Sequence, residues 1–257
     1  MGCWKTICWA GMLLIFAQPA QAAGACVLSG AQEAGRQASL LELYTSEGCS
    51  SCPPAESWLS GLAMAGLDAK RVVPLAFHVD YWDGLGWRDR FASPDYSRRQ
   101  RWRAALAGSS LIYTPQMLVN GHDWRFSGYD GLRASLPGGQ AGAALRVRGR
   151  QAGDGLDIEA EAVLGPGEPP LRLMLALFED GLQSRVSAGE NEGRLLRHDA
   201  VARTLAGPFP LSGAKATLKW HLRFADGQRP GASGVAVWLE DGQGRVRQAL
   251  AAHCAGG

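Results

Sequence analysis

Cys49-Ser50-Ser51-Cys52 carries the clearest chemical potential in this 257-residue chain. Two thiols separated by two residues can close a small-loop disulfide and reopen it. The thiolate is the reactive form, and a helix N-terminus stabilises it through free amide N–H groups. At this spacing Cys49 is expected to be the exposed attacker and Cys52 the resolving thiol. A permanently oxidised structural disulfide is the bland alternative. Two thiolates and an imidazole also suit Zn or Cu(I), so a metal set of Cys49, Cys52 and His78 is a third reading. No other cofactor is expected.

Several polar residues are candidates to support the pair. Glu42 stands in an apolar run and would accept the Cys52 proton if it faced the dithiol; an edge-facing surface charge is the alternative. Glu47 lies in the turn just before Cys49. Strand alternation sends His78 and Asp80 to one face, close to the dithiol or as plain structural polar contacts. Thr114 and Pro115 precede a third apolar run and are expected to shape a groove for extended polypeptide.

These residues need elements to hold them. Leu40 to Tyr44 reads as a buried strand ending in the turn Ser46-Glu47-Gly48. A helix follows from about Cys52, with Trp58, Leu59, Leu62 and Ala63 on its apolar face. Two prolines directly after Cys52 fit only if that helix begins near Ser51. Val72 to Val79 is a second strand. Ser93-Pro94 starts a helix through Leu106. In it, Arg98 to Arg103 reads as a solvated basic face with Trp102 turned inward. Met117 to Val119 is a third strand stopped by Asn120-Gly121, and a short helix spans Tyr129 to Leu136. Alternating strands and helices argue for an α/β layer. After the small-residue cluster at Leu136 to Gly139, Leu145-Val147, Leu156-Ile158-Ala160, Leu173-Leu175-Leu177, Leu218-Trp220-Leu222 and Val235-Val237-Leu239 alternate with period two. That pattern argues for an antiparallel β-sandwich. Ser187, His198 and Asp199 lie there without a nucleophile elbow and read as surface.

The segment Leu43 to Ala55, LYTSEGCSSCPPA, resembles the signature of a bacterial family of exported thioredoxin-like proteins of unknown function. Phe77 to Asp83, Asp89 to Ala92, Tyr113 to Met117 and Gly189 to Arg194 (GENEGR) match that family in order. The resemblance implies a thioredoxin-like fold, with a cis Thr114–Pro115 peptide facing the dithiol. The expected architecture is therefore an α/β thioredoxin-like domain over residues 23–138 followed by an antiparallel β-sandwich domain over 139–257.

The ends of the chain bear on where it works. Lys5, the apolar run from Ile7 to Phe16 and Ala20-Gln21-Ala22 read as a signal peptide over residues 1–22. The run is too short to span a bilayer, so no membrane span is expected after cleavage. A periplasmic or secreted location follows, with protein thiols and disulfides as partners. Of six cysteines, Cys3 and Cys8 leave with the signal. Cys26 and Cys254 then remain to pair across the chain, with acylation of Cys26 as the competing fate. A formal net charge of +2, with no basic face set apart, argues against a nucleic-acid partner.

Overall fold

Met1, residues 25–139 and residues 141–255 are described by a computed structural model of the chain. The expected signal peptide lies, apart from Met1, outside the described residues. Among those residues no helix is long and apolar enough to cross a membrane.

The chain's first half builds the centre of a mixed sheet. Strand β2 (Ser39–Thr45) is buried along its whole length, as its nearly unbroken apolar run requires. It pairs in parallel with β3 (Val72–His78) and antiparallel with β4 (Gln116–Val119). The tight turn after β4 places Asn120 at φ 51° and Gly121 at φ 86°, the left-handed region that Asn and Gly tolerate best. Chain returns through the two-residue strand β5 (His122–Asp123). Helix α1 (Cys52–Ser60) follows Ser51, with two prolines in its first turn, where a missing N–H breaks no helical bond. Helix α2 (Pro94–Leu106) is capped by the Ser93 hydroxyl, which accepts from the Asp95 N–H. Helix α3 (Gly128–Ser135) ends this half.

The expected thioredoxin-like domain followed by a separate sandwich is not what the chain forms. The molecule is mostly strand, and its largest sheet draws on both halves of the sequence. Strands β8 (Leu171–Glu179), β11 (Val201–Pro210), β13 (Ser233–Asp241) and β14 (Val246–His253) join β2 to β5 in one eight-stranded sheet, in the order β14-β13-β8-β11-β3-β2-β4-β5. Val201 of β11 pairs in parallel with Ala76 of β3. The physical reason is edge protection: β3 would otherwise end the sheet with unpaired amides and carbonyls. Alternation in Leu173-Leu175-Leu177 suggests a strand with one wet face. In fact β8 is buried on both faces, because Met174, Ala176 and Phe178 also enter a core.

One face of the large sheet packs Leu40, Tyr44, Phe77 and Trp238 against Tyr96 of α2 in one core. The other face has two covers. Helices α1 and α3 cover Leu41, Leu43, Met117 and Val119. A second, four-stranded antiparallel sheet covers the β8–β13–β14 end; it runs β1 (Val27–Gln32), β6 (Ala143–Ala152), β7 (Gly155–Leu164), β12 (Lys215–Arg223). A hairpin of β9 (Leu182–Arg185) and β10 (Leu195–His198) folds back onto α1. Cys26 and Cys254 form a disulfide with Cα atoms 4.9 Å apart. It closes a loop of more than 200 residues and so stabilises by at most about 5 kcal/mol on the chain-entropy account.

Candidate functional site

Cys49 and Cys52 are joined by a disulfide at the start of α1, with Cα atoms 5.4 Å apart. The sulfurs therefore do not form a ligand set with His78 in this oxidised state. Both cysteines are buried, Cys49 at 1% and Cys52 at 0% exposure, so the expected exposed attacker is covered. The cause is the way the preceding turn is held down. Asp89 accepts the Glu47 N–H at 2.8 Å, and Ser46 accepts the Cys49 N–H at 3.1 Å. Trp82 packs against Gly48 and donates its indole N–H to the Thr114 hydroxyl at 2.9 Å. A β-carbon at Gly48 would sit 3.2 Å from that of Trp82. Trp82 thereby ties the turn before Cys49 to the Thr114–Pro115 peptide, which is cis.

A strap from the second half completes the cover. The Asn191 amide donates to the carbonyls of Glu47 (2.9 Å) and Cys49 (3.0 Å), and the Glu190 carboxylate accepts the Ser50 N–H at 3.0 Å. Asn191 is fully buried. Replacing it by Ala leaves two carbonyls without these donors and costs roughly 1–3 kcal/mol per lost partner. Asn191→Ala is therefore expected to speed reduction of Cys49–Cys52 by dithiothreitol about tenfold, the factor that ~1.4 kcal/mol represents. A gel-shift time course with alkylation reads it; an unchanged rate would show that the strap does not gate access.

At the start of α1, with Ser51 in its lining, lies a cavity of about 400 Å³ with mainly apolar walls: Pro54, Ala55, Pro115, Met117, Trp124 and Phe126. Trp58 of α1 stacks on Trp124 at 5.6 Å and on Tyr129 at 5.1 Å, which fixes one wall. Phe126 is exposed at the rim.

The supporting residues divide. Glu47 and His78 lie in a buried polar cluster behind the turn. Glu47 accepts from the Trp87 indole at 2.8 Å and lies 3.2 Å from His198 Nε2. His78 Nδ1 is 2.7 Å from Asp89. Asp80 is not on the face of His78: β3 ends at His78, and Asp80 opens a 3-10 turn (Asp80–Trp82) where it bonds Ser97 of α2. Glu42 is also elsewhere. It shares the face of Leu40 and Tyr44, opposite α1, and is held by Arg99 and Arg103. It is therefore not placed to take the Cys52 proton. Arg99 and Arg103 are correspondingly buried and not solvated, because they lie four residues apart on the inner face of α2.

Two residues in the cluster escape a sequence reading. Glu56 is buried on α1 and accepts from the Thr45 hydroxyl at 2.5 Å. Its place four residues after Cys52, hence on the same helical face, is the signal that could have found it. His198, read as surface, is 1% exposed and contacts Glu56 through Nδ1. Nothing local in the sequence announces that contact; it arises because the β9–β10 hairpin folds onto α1. Burial alone would lower the His198 pKa, but hydrogen bonds to Glu47 and Glu56 outweigh it and raise it to about 10. Burial likewise opposes ionisation of His78, and Asp89 reverses the effect and raises its pKa. Ser187 is exposed, and Asp199 accepts the Gly181 N–H; neither joins the cluster.

The chain is thus a mostly β protein with a disulfide between cysteines separated by two residues, set at a strand-to-helix junction. The chain belongs to the family described as Protein of unknown function (DUF1223), whose model matches residues 40–240. The family resemblance seen in the sequence thus holds at that level. Protein AGR_C_4864 from Agrobacterium tumefaciens, known from an X-ray crystal structure, is similar at 27% identity and a TM-score of 0.60, over 86% of this chain and 94% of that one. HBP35 of Porphyromonas gingivalis shares the fold at 15% identity and a TM-score of 0.64, over 84% of this chain and 75% of that one. None of the curated proteins matches.

Proposed function

We propose that this chain is an exported thiol–disulfide exchange protein that acts on extended polypeptides. The observation that carries the reading is the Cys49–Cys52 disulfide at the first turn of α1, where Ser51 and Pro54 line the mainly apolar cavity. A purely structural staple needs no such groove. Two disulfides among the described residues are compatible with an oxidising compartment, and a periplasmic or secreted location completes the proposal.

In the oxidising direction a substrate thiolate attacks Cys49 Sγ. The Cys49–Cys52 bond breaks, and Cys52 leaves as a thiolate that takes a proton. A second substrate thiolate then attacks the substrate sulfur of the mixed disulfide and releases Cys49. The substrate loses two electrons and the Cys49/Cys52 pair gains them; the reverse sequence reduces a substrate disulfide. Pro115, Met117 and Trp124 would seat the apolar side chains flanking the substrate cysteine. Pro53 and Pro54 supply no amide N–H, so the first turn of α1 offers a Cys49 thiolate fewer donors than an ordinary helix start.

Equilibration in glutathione buffers of graded potential, followed by acid quench, alkylation and mass spectrometry, tests this. Reversible two-electron titration of Cys49–Cys52, with Cys26–Cys254 oxidised throughout, is expected. Structural disulfides resist the glutathione pool and titrate below about −300 mV; a Cys49–Cys52 pair that stays closed down to that potential would sink the proposal.

A further inference from the structure

We propose that Glu56, His78 and His198 form a binding site for one divalent first-row transition-metal ion of the Zn²⁺ kind, separate from the two cysteines. Their ligand atoms all lie within 4.8 Å of one another, and all three residues are buried. They come from α1, from the end of β3 and from the end of β10, so the tertiary fold alone assembles them.

The orientation of His78 points to a ligand. Its Nδ1 faces Asp89 at 2.7 Å. With the proton on that nitrogen, Nε2 carries a free lone pair. Nε2 is fully buried and has no hydrogen-bond partner among the described residues. A buried polar atom without a partner calls for an explanation, and an ion is one. An imidazole whose far nitrogen is held by a carboxylate is the arrangement that orients histidines on metals.

Outer partners exist for the other two ligands as well. His198 presents Nδ1 to Glu56 while Glu47 stands 3.2 Å from its Nε2. Glu56 offers one oxygen inward while the Thr45 hydroxyl donates to the other at 2.5 Å. Each candidate ligand therefore has one atom held by an outer partner, which leaves its second atom for an ion. Two imidazoles and one carboxylate suit Zn²⁺ and its first-row neighbours, whereas Mg²⁺ and Ca²⁺ take oxygen ligands. Charge also permits it. With both imidazoles neutral and one divalent ion bound, the cluster with Glu47, Glu56 and Asp89 has the formal charge it has with both imidazoles protonated. Tetrahedral ligands about 2.0–2.1 Å from the ion stand about 3.3 Å apart. Binding therefore draws the ligand atoms inward and opens the direct His198–Glu56 contact. Three protein ligands leave a fourth position to water.

The site does not depend on the thiol chemistry proposed above, and its test separates the two. Because the residues are buried, the ion enters as the chain folds. The full mature chain, disulfides intact, is unfolded in chelator, refolded, and titrated with Co²⁺ during a second refolding. One equivalent with visible d–d absorption, no sulfur-to-cobalt charge-transfer band, displacement by Zn²⁺ and a raised Tm are expected. Cys49→Ser/Cys52→Ser is expected to bind as the wild type does. His78→Gln is expected to lose the absorption, and Asp89→Asn to bind roughly 10–100-fold more weakly. A refolded wild-type chain that takes up no Co²⁺ and shows no Tm change overturns the proposal. So does a cysteine variant that abolishes binding, or a folded His78→Gln chain that binds unchanged. If His78→Gln does not fold, the wild-type titration and the cysteine variant decide the matter.

Discussion

Replacing Cys52 with Ser is expected to abolish turnover of thiol–disulfide exchange and to trap the chain on its substrate. On the exchange chemistry proposed above, a mixed disulfide at Cys49 should be short-lived in the wild type, because Cys52 sits three residues away with its Cα at 5.4 Å and within reach to attack it. Serine keeps the size but not the nucleophile, so the Cys49–substrate bond then breaks only when an outside thiol reaches it. A model apolar peptide with one activated cysteine should accumulate on Cys52→Ser as a single adduct, with Cys49 as the modified residue by mass spectrometry. Cys49→Ser should form no adduct, because Cys52 lies inside the first turn of α1, whereas Cys49 stands before it. Trp124→Ala should weaken adduct formation without changing the site of attachment, since it removes a wall of the cavity and neither sulfur. Adducts on Cys52, or none on either cysteine, would reverse the roles or remove the activity.

The second large effect concerns stability. Glu42→Ala is expected to destabilise the fold by about 3–5 kcal/mol at neutral pH, a large share of the 5–15 kcal/mol a domain ordinarily holds. Glu42 is fully buried, yet it meets Arg99 at 2.9 and 3.1 Å, Arg103 at 2.7 Å and the Tyr44 hydroxyl at 2.6 Å. Glu240 faces the same two arginines at 3.3 and 3.1 Å. Arg172, partly exposed, also lies 3.4 Å from Glu240, so Glu42 is the carboxylate that offsets the buried Arg99 and Arg103; deleting it leaves a buried positive charge without its counterpart. The same group sets an acid limit. Burial by itself would raise the Glu42 pKa, but Arg103 and Arg99 outweigh it and hold it at about 2, against 4.5 for an unperturbed glutamate. A depressed folded-state pKa stabilises above the unfolded value and is lost on acidification. About 3 kcal/mol should therefore be present above pH 4.5 and fade as the pH falls toward 2. Urea unfolding of wild type and Glu42→Gln across this range measures it. Parallel curves for the two chains would refute the assignment.

Local chemistry was legible where a residue's role depends on its near neighbours. The apolar run of β2, the Ser93-Pro94 start of α2 and the Asn120-Gly121 turn all stand where spacing and propensity put them. Glu42 was not, because a charge in an apolar strand can be neutralised from either face, and only the packing of α2 decides which. The two-domain picture failed for a related reason. Period-two alternation in β8 is equally consistent with one wet face or with two dry ones, and the cores packed on both faces of the joined sheet select the second.

The Cys49–Cys52 disulfide was legible from sequence alone. Cys49 and Cys52 are close because they are three residues apart, and no tertiary contact is needed to bring their sulfurs within bonding reach. Elimination also left Cys26 and Cys254 to each other, and they are bonded. Everything that governs access to the pair was decided by the tertiary structure. Asn191 reaches the carbonyl of Cys49 across 142 positions, and His198 reaches Glu56 across 142 as well. Periodicity reports which face of a strand or helix is apolar. It carries no record of which distant hairpin will fold over that face, because that choice is made by burying apolar surface and pairing strand edges across the whole sheet.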